Sequence, residues 1–379
     1  MKNHPLVKLH LLEPLQDLLE LLDEVQGDRI DFPIKMFLTF DEISTICEAS
    51  LEPYTALRRI IRVMSDHPIW TFVLSTKSPL GFVAPSSSKD ASSRVNMADL
   101  LRVPPFYTFP MDIEASRAMT ENPDRMKSLP MAEYNRLSHL VLYGRPLWFA
   151  YRNYGCASIR SLALSKLLCE PSSFFKPWNE HHASAALSTR LCLDPCTKDS
   201  ASVSLRNTAV TSHLRLILRM DSDHGLIQTL SPHEPILAEA VAYLLNSAKK
   251  PDGAVHSLWH ETLNTLRTRI LTPALIDKET IGELVSRLLL ILAHDRALVP
   301  RAHEDFAFCS HLTVSDFLQS LFNSSHKSIL ETGMTVTTRA ILDGHINFSH
   351  FVSTRTALSS DSMLDLLHNP LMEHAARLP

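Results

Sequence analysis

The sequence predicts an α/β core at the N-terminal end followed by a mostly α-helical remainder. Two short, nearly continuous apolar runs, "IKMFLTF" (34–40) and "IWTFVLS" (69–75), flank a segment of helical periodicity. From residue 114 onward the apolar pattern is helical almost throughout. Glycine is scarce, 9 residues, while 23 prolines punctuate the chain. That composition suits many proline-stopped helices better than loops that need φ > 0.

Leu11, Leu15, Leu18, Leu22 and Val25 form one helical stripe, which Gly27 ends. The run 34–40 reads as a strand buried on both faces, the habit of parallel sheets. Residues 50–66 set Leu57, Ile60, Ile61 and Met64 on one side of a helix, and the second strand follows Pro68. Strand, helix, strand in this order is a βαβ unit. Residues 79–104 carry a long polar loop with "APSSSKDASSR", and "PPFYTFPMDI" (104–113) is expected to be extended, a third short strand.

The helix candidates beyond it are "MAEYNRLSHLVLYG", "ASIRSLALSKLLC", "PILAEAVAYLLNSA", "HSLWHETLNTLRTRIL", "IGELVSRLLLILAHDRAL" and "VSDFLQSLFNS". "SHLRLILRM" (212–220) fits strand or helix. The expected regions are an α/β core over 1–113, a helical lid-like region over 114–245 and a C-terminal helical region over 246–379.

Composition removes several function classes. A net charge of −4 gives no basic footprint, so a nucleic-acid partner is not supported. No segment approaches about 18 consecutive apolar residues, so no membrane span is expected. The N-terminal segment reads as an amphipathic helix and not as a signal peptide. Six scattered cysteines are no disulfide framework. Together these place the chain inside the cell, cytoplasmic or nuclear. Cys192 and Cys196 in "CLDPC", with His181 and His182 upstream, match no common zinc spacing, and no structural metal is expected. "HDRALVPRAHEDF" (294–306) reads as a solvated turn. Leu284, Leu288, Ile291 and Leu292 read as core, and Trp148 and Trp259 as packing residues.

Asp41 and Glu42 follow the first strand directly. Two readings fit. They cap the next helix, for which Asp and Glu are both suited. Alternatively they stand at the C-terminal edge of a parallel sheet, where an aspartate holds a magnesium-bound water and a glutamate polarises the attacking water. The second strand then ends in the polar tip Ser75, Thr76 and Lys77.

"DFPIKMFLTFDEI" with "HPIWTFVLSTKSPLGFVAPSS" resembles the core of a fungal group of P-loop NTPase-like proteins, the Crinkler-type and retrotransposon-hot-spot-type proteins. "PPFYTFPMD", "YGRPLW", "STRLCLD", "SHLRLIL", "EPILAEAVAYLL", "GELVSRLLLILAHDRA", "TVSDFLQSLF" and "INFSHFV" follow in the same order, so the resemblance spans most of the chain. It implies an AAA/STAND-like parallel sheet. Asp41 matches the Walker B magnesium ligand, Glu42 the catalytic carboxylate, and Ser75 or Thr76 the nucleotide-sensing strand end. Arg145 in "YGRPLW" is the candidate phosphate-contacting or domain-coupling arginine.

The chain departs from this pattern in one respect above all. It contains no G-x-x-x-x-G-K-[ST] motif, the loop whose amides and lysine carry most nucleotide binding. In the family that loop precedes the Walker B strand, upstream of where this sequence begins. Relatives also continue into a nuclease-like segment, whereas residues 350–379 hold no lysine, and no nuclease site is expected. The expected function is a degenerate or truncated NTPase with weak or absent Mg-ATP binding, and an ATPase if active. The alternatives are a non-enzymatic module whose helical region binds a protein partner, and an ATPase completed in trans or by an upstream segment.

Overall fold

The computed structural model describes residues 4–26, 34–43, 46, 52–74, 110–155, 158–170, 178–196, 199–221, 226–249, 255–277, 280–322 and 340–352. The chain divides into two compact units, Met1–Pro105 with Met220–Leu226, and Phe106–Arg219 with Ile227–Pro379. The protein is mostly helical, and its strands are short.

In the first unit, helix α1 (Glu13–Gln26) is entered through Pro5–Val7 and a π-helical turn, Lys8–Leu12. Strand β1 (Met36–Phe40), helix α2 (Glu52–Met64) and strand β2 (Ile69–Val73) follow. β1 and β2 pair in parallel, Met36 opposite Ile69 through Phe40 opposite Val73, so the βαβ connection is present. Leu15 and Leu19 of α1, Met64 of α2 and Ile69 of β2 form one buried cluster, with Leu11, Leu22, Met36, Leu38 and Ile61 packed against it.

Two expectations for this unit need correction. The inward line of this helical segment is Leu15 and Leu19 of α1, flanked by the partly buried Leu11 of the entry turn and Leu22, whereas Leu18 and Val25 are exposed. A straight helix keeps i, i+4 neighbours on one face, and the strict seven-residue spacing drifts off it. The strands are also not buried on both faces. Met36 and Leu38 point to the cluster, but Phe37, Trp70 and Phe72 are exposed on the opposite face. Side chains alternate along a strand, and the helices of this cluster lie on one side only. The exposed rings still contact one another, Phe37 stacking on Phe72 and Trp70 meeting Phe72 edge-on, each at 6.0 Å. Among the described residues β1 and β2 make a two-stranded sheet, and the wider parallel sheet implied by the resemblance is not shown.

The polar loop 79–104 lies outside the described residues, as do residues 104–109 of the expected third strand. Where that segment becomes described it is not a strand. Pro110–Asp112 are irregular and Ile113 opens helix α3 (Ile113–Glu121).

The second unit is helical. Its main elements are α4 (Leu147–Asn153), α5 (Ile159–Leu168), α6 (Glu180–Leu191), α7 (Ser200–Ser212), α8 (Pro235–Ser247), α9 (Trp259–Thr265), α10 (Ile281–Leu298) and α11 (Val314–Phe322). "SHLRLILRM" resolves into strand β3 (Leu216–Asp221), which pairs with β4 (Leu226–Leu230). The stretch 131–144 is two short turns, Met131–Tyr134 and Leu137–Leu140, in place of one helix.

The starts of α5, α6 and α7 carry side-chain caps. Ser158 accepts from the Ser161 amide, Asn179 from His182 and Asp199 from Ser202. Such caps contribute about 1 kcal/mol each. α5 and α6 both end in a cysteine in the left-handed region, Cys169 at φ 56° and Cys192 at φ 55°.

α8 is the central helix. Ile236, Leu237, Ala238, Ala240, Val241, Ala242 and Leu245 are all within 1% of complete burial, as expected of a helix apolar all round. Each large side chain among them gains about 1.5–3 kcal/mol on burial. α6 is buried along nearly its whole length, and its Ala183, Ser184, Ala185, Ala186 and Ser188 let neighbours approach closely. Trp148 and Leu167 join Leu187, Leu191, Trp259, Leu284 and Ile291 in one core with α8. That core draws on both sides of residue 245, which lies inside α8.

Trp148 and Trp259 do pack in this core, and Leu284, Leu288, Ile291 and Leu292 line it. His294 and Asp295, expected in a solvated turn, are instead completely buried on α10. They follow Ile291 round the inward face, and the exposed turn begins later, at the Arg301–Glu304 ion pair. Among the described residues no helix is long and apolar enough to cross a membrane.

Candidate functional site

The parallel pairing of β1 and β2 brings the two strand ends to one edge. The Leu74 amide donates to Phe40 O at 2.8 Å, and the Ile43 amide to Leu74 O at 3.0 Å. These bonds continue the ladder past Phe40 and grip the chain on both sides of Asp41 and Glu42. Ile43, 1% exposed, anchors the turn by burial. Glu42 adopts φ 50°, a left-handed conformation that costs a non-glycine residue about 1–2 kcal/mol. The Asp41 carboxylate is exposed, and its Oδ1 accepts the Glu42 amide at 2.9 Å.

Chemically, this edge offers two adjacent carboxylates, with one Asp41 oxygen turned away from the Glu42 amide. That suits a hard cation taken through its own waters. The chain has no glycine-rich phosphate loop of the kind that brings backbone amides to phosphates. Magnesium therefore fits these residues better than a whole nucleotide does. Among the described residues no group of three or more His, Cys, Asp or Glu side chains could hold a metal ion. Ser75 and Thr76 lie outside the described residues, which stop on this strand at Leu74.

Arg145 belongs to the other unit. Its side chain is committed to Glu234, completely buried immediately before α8. Nε lies 3.0 Å from both carboxylate oxygens, Nη2 2.6 Å from Oε1, and the Arg145 amide 3.1 Å from Oε2. Trp148 Nε1 donates to the same carboxylate at 2.5 Å. Beside it, Asp112 accepts the Gly144 amide, and burial pushes its carboxyl up to about 6, against that hydrogen bond and with help from the Glu234 charge.

Sequence reasoning missed the buried charges of the helical unit. Arg190 of α6 and Asp295 of α10, 0% and 1% exposed, form a two-pronged pair at 3.2 and 2.6 Å. Asn246 of α8 donates to Asp295 at 2.9 Å and accepts from Trp259 Nε1 of α9 at 3.0 Å. One polar chain thus ties four helices together. Burial disfavours the Asp295 charge, but Arg190 and His294 outweigh it and hold the carboxyl below its ordinary value. Arg160 of α5 reaches Glu239 of α8 at 3.3 Å and lies 4.1 Å from the centre of the Tyr243 ring. A signal for these pairs did exist: Glu239 and Arg190 interrupt otherwise small or apolar helical runs.

Glu239 yields a prediction. It is fully buried and its Oε2 has no hydrogen-bond partner among the described residues. Burial raises its carboxyl from 4.5 to about 7, overcoming Arg160 and Arg190. The folded chain therefore keeps this proton while the unfolded chain loses it. Stability should fall as pH rises from 4.5 to about 7, with no contribution below that window. Asp112 acts with the same sign. His213, lowered by burial and by the neighbouring His181 and His182, acts with the opposite sign. The measurement is accordingly a difference between wild type and Glu239→Gln in urea titrations across this range. The variant should lack a decline totalling about 3 kcal/mol across the window, and parallel curves would refute the assignment.

Comparison of the chain with known protein families, with curated proteins and with solved structures returns no match.

Proposed function

We propose that the chain is a P-loop NTPase-like protein of the Crinkler type whose nucleotide site is degenerate. Asp41 would hold a magnesium-bound water, and Glu42 would polarise the attacking water if hydrolysis occurs. The reading rests on one observation: β1 and β2 run parallel and in register, and their last ladder bonds set Asp41 and Glu42 beside Leu74 at the C-terminal edge. That edge is where ligands bind in open α/β sheets. Bound magnesium would supply charge neutralisation for phosphate oxygens.

Without a phosphate loop in the chain, Mg-ATP binding should be weak, with Kd near 1 mM, or about −4 kcal/mol. Calorimetry should register weak, magnesium-dependent heat that Asp41→Ala removes. Micromolar affinity lost in Asp41→Ala would make the site a working one and overturn its degeneracy. Identical titrations for wild type and Asp41→Ala would remove Asp41 from the site.

The self-contained core of the helical unit favours a second reading, a non-enzymatic module that binds a protein partner. It predicts a cooperative thermal transition that saturating Mg-ATP leaves in place. A transition shifted upward by nucleotide would count against it.

A further inference from the structure

We propose that the helical unit carries an anion site in the cleft where the end of α6, strand β4 and the first turns of α10 meet, and that its ligand is a compact dianion, a phosphate group or a small dicarboxylate. The cleft holds about 350 Å³ and is lined by two arginines, Arg215 and Arg287. Leu193, Ile276 and Leu284 give it an apolar wall. This proposal is independent of the nucleotide reading, since every residue it uses lies in the helical unit.

Arg215 is the fixed element. Its side chain is 3% exposed. Nε donates to Thr229 Oγ1 at 2.7 Å, and Nη1 to Leu193 O at 2.9 Å and Ser231 Oγ at 3.1 Å. Nη2 donates to Asp194 Oδ1 at 2.5 Å. A guanidinium has five N–H groups, so these four bonds leave one Nη2 hydrogen to spare. The carboxylate that answers this buried cation is itself 75% exposed.

Arg287 repeats the arrangement. Its Nη1 bonds Leu191 O at 3.3 Å, and its Nη2 pairs at 2.6 Å with Glu283, which is 66% exposed. Two held arginines thus face one cleft, each neutralised by a loosely held acidic side chain. The Glu283–Arg287 pair lies on the surface, where water screens it. A ligand carrying two negative charges would take the places of Asp194 and Glu283, keep the buried Arg215 charge compensated, and meet donors already held in place.

Calorimetry with inorganic phosphate and, separately, with succinate tests this on the full chain. Saturable one-to-one binding is expected with at least one of them, and the tighter of the two identifies the ligand class. Arg287→Gln should weaken that binding about tenfold. Glu283→Gln, on the surface, should strengthen it by removing the internal competitor. Glu121→Gln, an equal charge change on exposed α3, should leave it unaltered. Absence of saturable heat with both anions would overturn the site. So would Glu121→Gln acting as strongly as Glu283→Gln, because that would reduce the effect to net charge. Should Arg287→Gln fail to fold, the Glu283→Gln and Glu121→Gln comparison decides alone.

Discussion

Asp295→Asn is expected to destabilise the helical unit by about 3–5 kcal/mol, read as a lowered urea midpoint at neutral pH. The variant keeps the shape of the side chain and removes only its charge. Arg190 is then a buried guanidinium whose former partner offers one neutral oxygen in place of a carboxylate. The loss also propagates along the chain of bonds, because Asn246 Nδ2 now faces a group that can be turned to a donor. The companion experiment separates the pair from its packing. Arg190→Met with Asp295→Leu removes both charges and fills much of the same volume, and the double variant should lie within about 1.5 kcal/mol of wild type. A double variant as unstable as the single one would mean that the polar chain, and not uncompensated charge, holds α6 against α10.

These pairs explain what was legible in the sequence and what was not. The βαβ unit was readable because each of its parts is local: two apolar runs of strand length, an apolar side on α2, and Gly27 and Pro68 at the boundaries. The faces of its strands were not. Phe37 and Trp70 look like core in an apolar run, and whether they are covered depends on what packs beyond them, which periodicity does not encode. The heptad-like spacing of α1 misled in a similar way, since Leu18 and Leu19 are both leucine and only packing against Met64 and Ile69 chooses between them.

The candidate site divides along the same line. A strand end followed by two carboxylates, Asp41 and Glu42, is a local pattern, and the ladder bonds from Leu74 and Ile43 fix where that pair emerges. His294 and Asp295 were misplaced because their polarity reads as solvent exposure until a partner about 100 residues away is known; Arg190 lies 105 residues before Asp295. The pairing of Arg145 with Glu234, 89 residues apart, was hidden for the same reason.

The same lock carries the second large effect. Glu234→Gln should cost about 3 kcal/mol. The buried carboxylate takes bonds from the Arg145 amide, the Arg145 guanidinium and the Trp148 indole, all donors, and the amide nitrogen of glutamine would face some of them. Gly144→Ala should damage the lock from the other side. Gly144 stands at φ 88°, and an added Cβ would fall 2.6 Å from Glu234 Cγ. Its amide must also stay on Asp112 Oδ1, so the strand of chain cannot swing away without losing that bond. Because both changes break one assembly, the double variant should lose clearly less than the sum of the singles. Strict additivity would show that the two act on separate features. Arg145→Ala tests the proposed nucleotide-sensing role: as a partner of Glu234 it should lower the unfolding midpoint and leave the Mg-ATP titration the same as wild type. If it instead weakened that binding with the midpoint unmoved, Arg145 would be a nucleotide-sensing residue that releases Glu234 when ligand arrives.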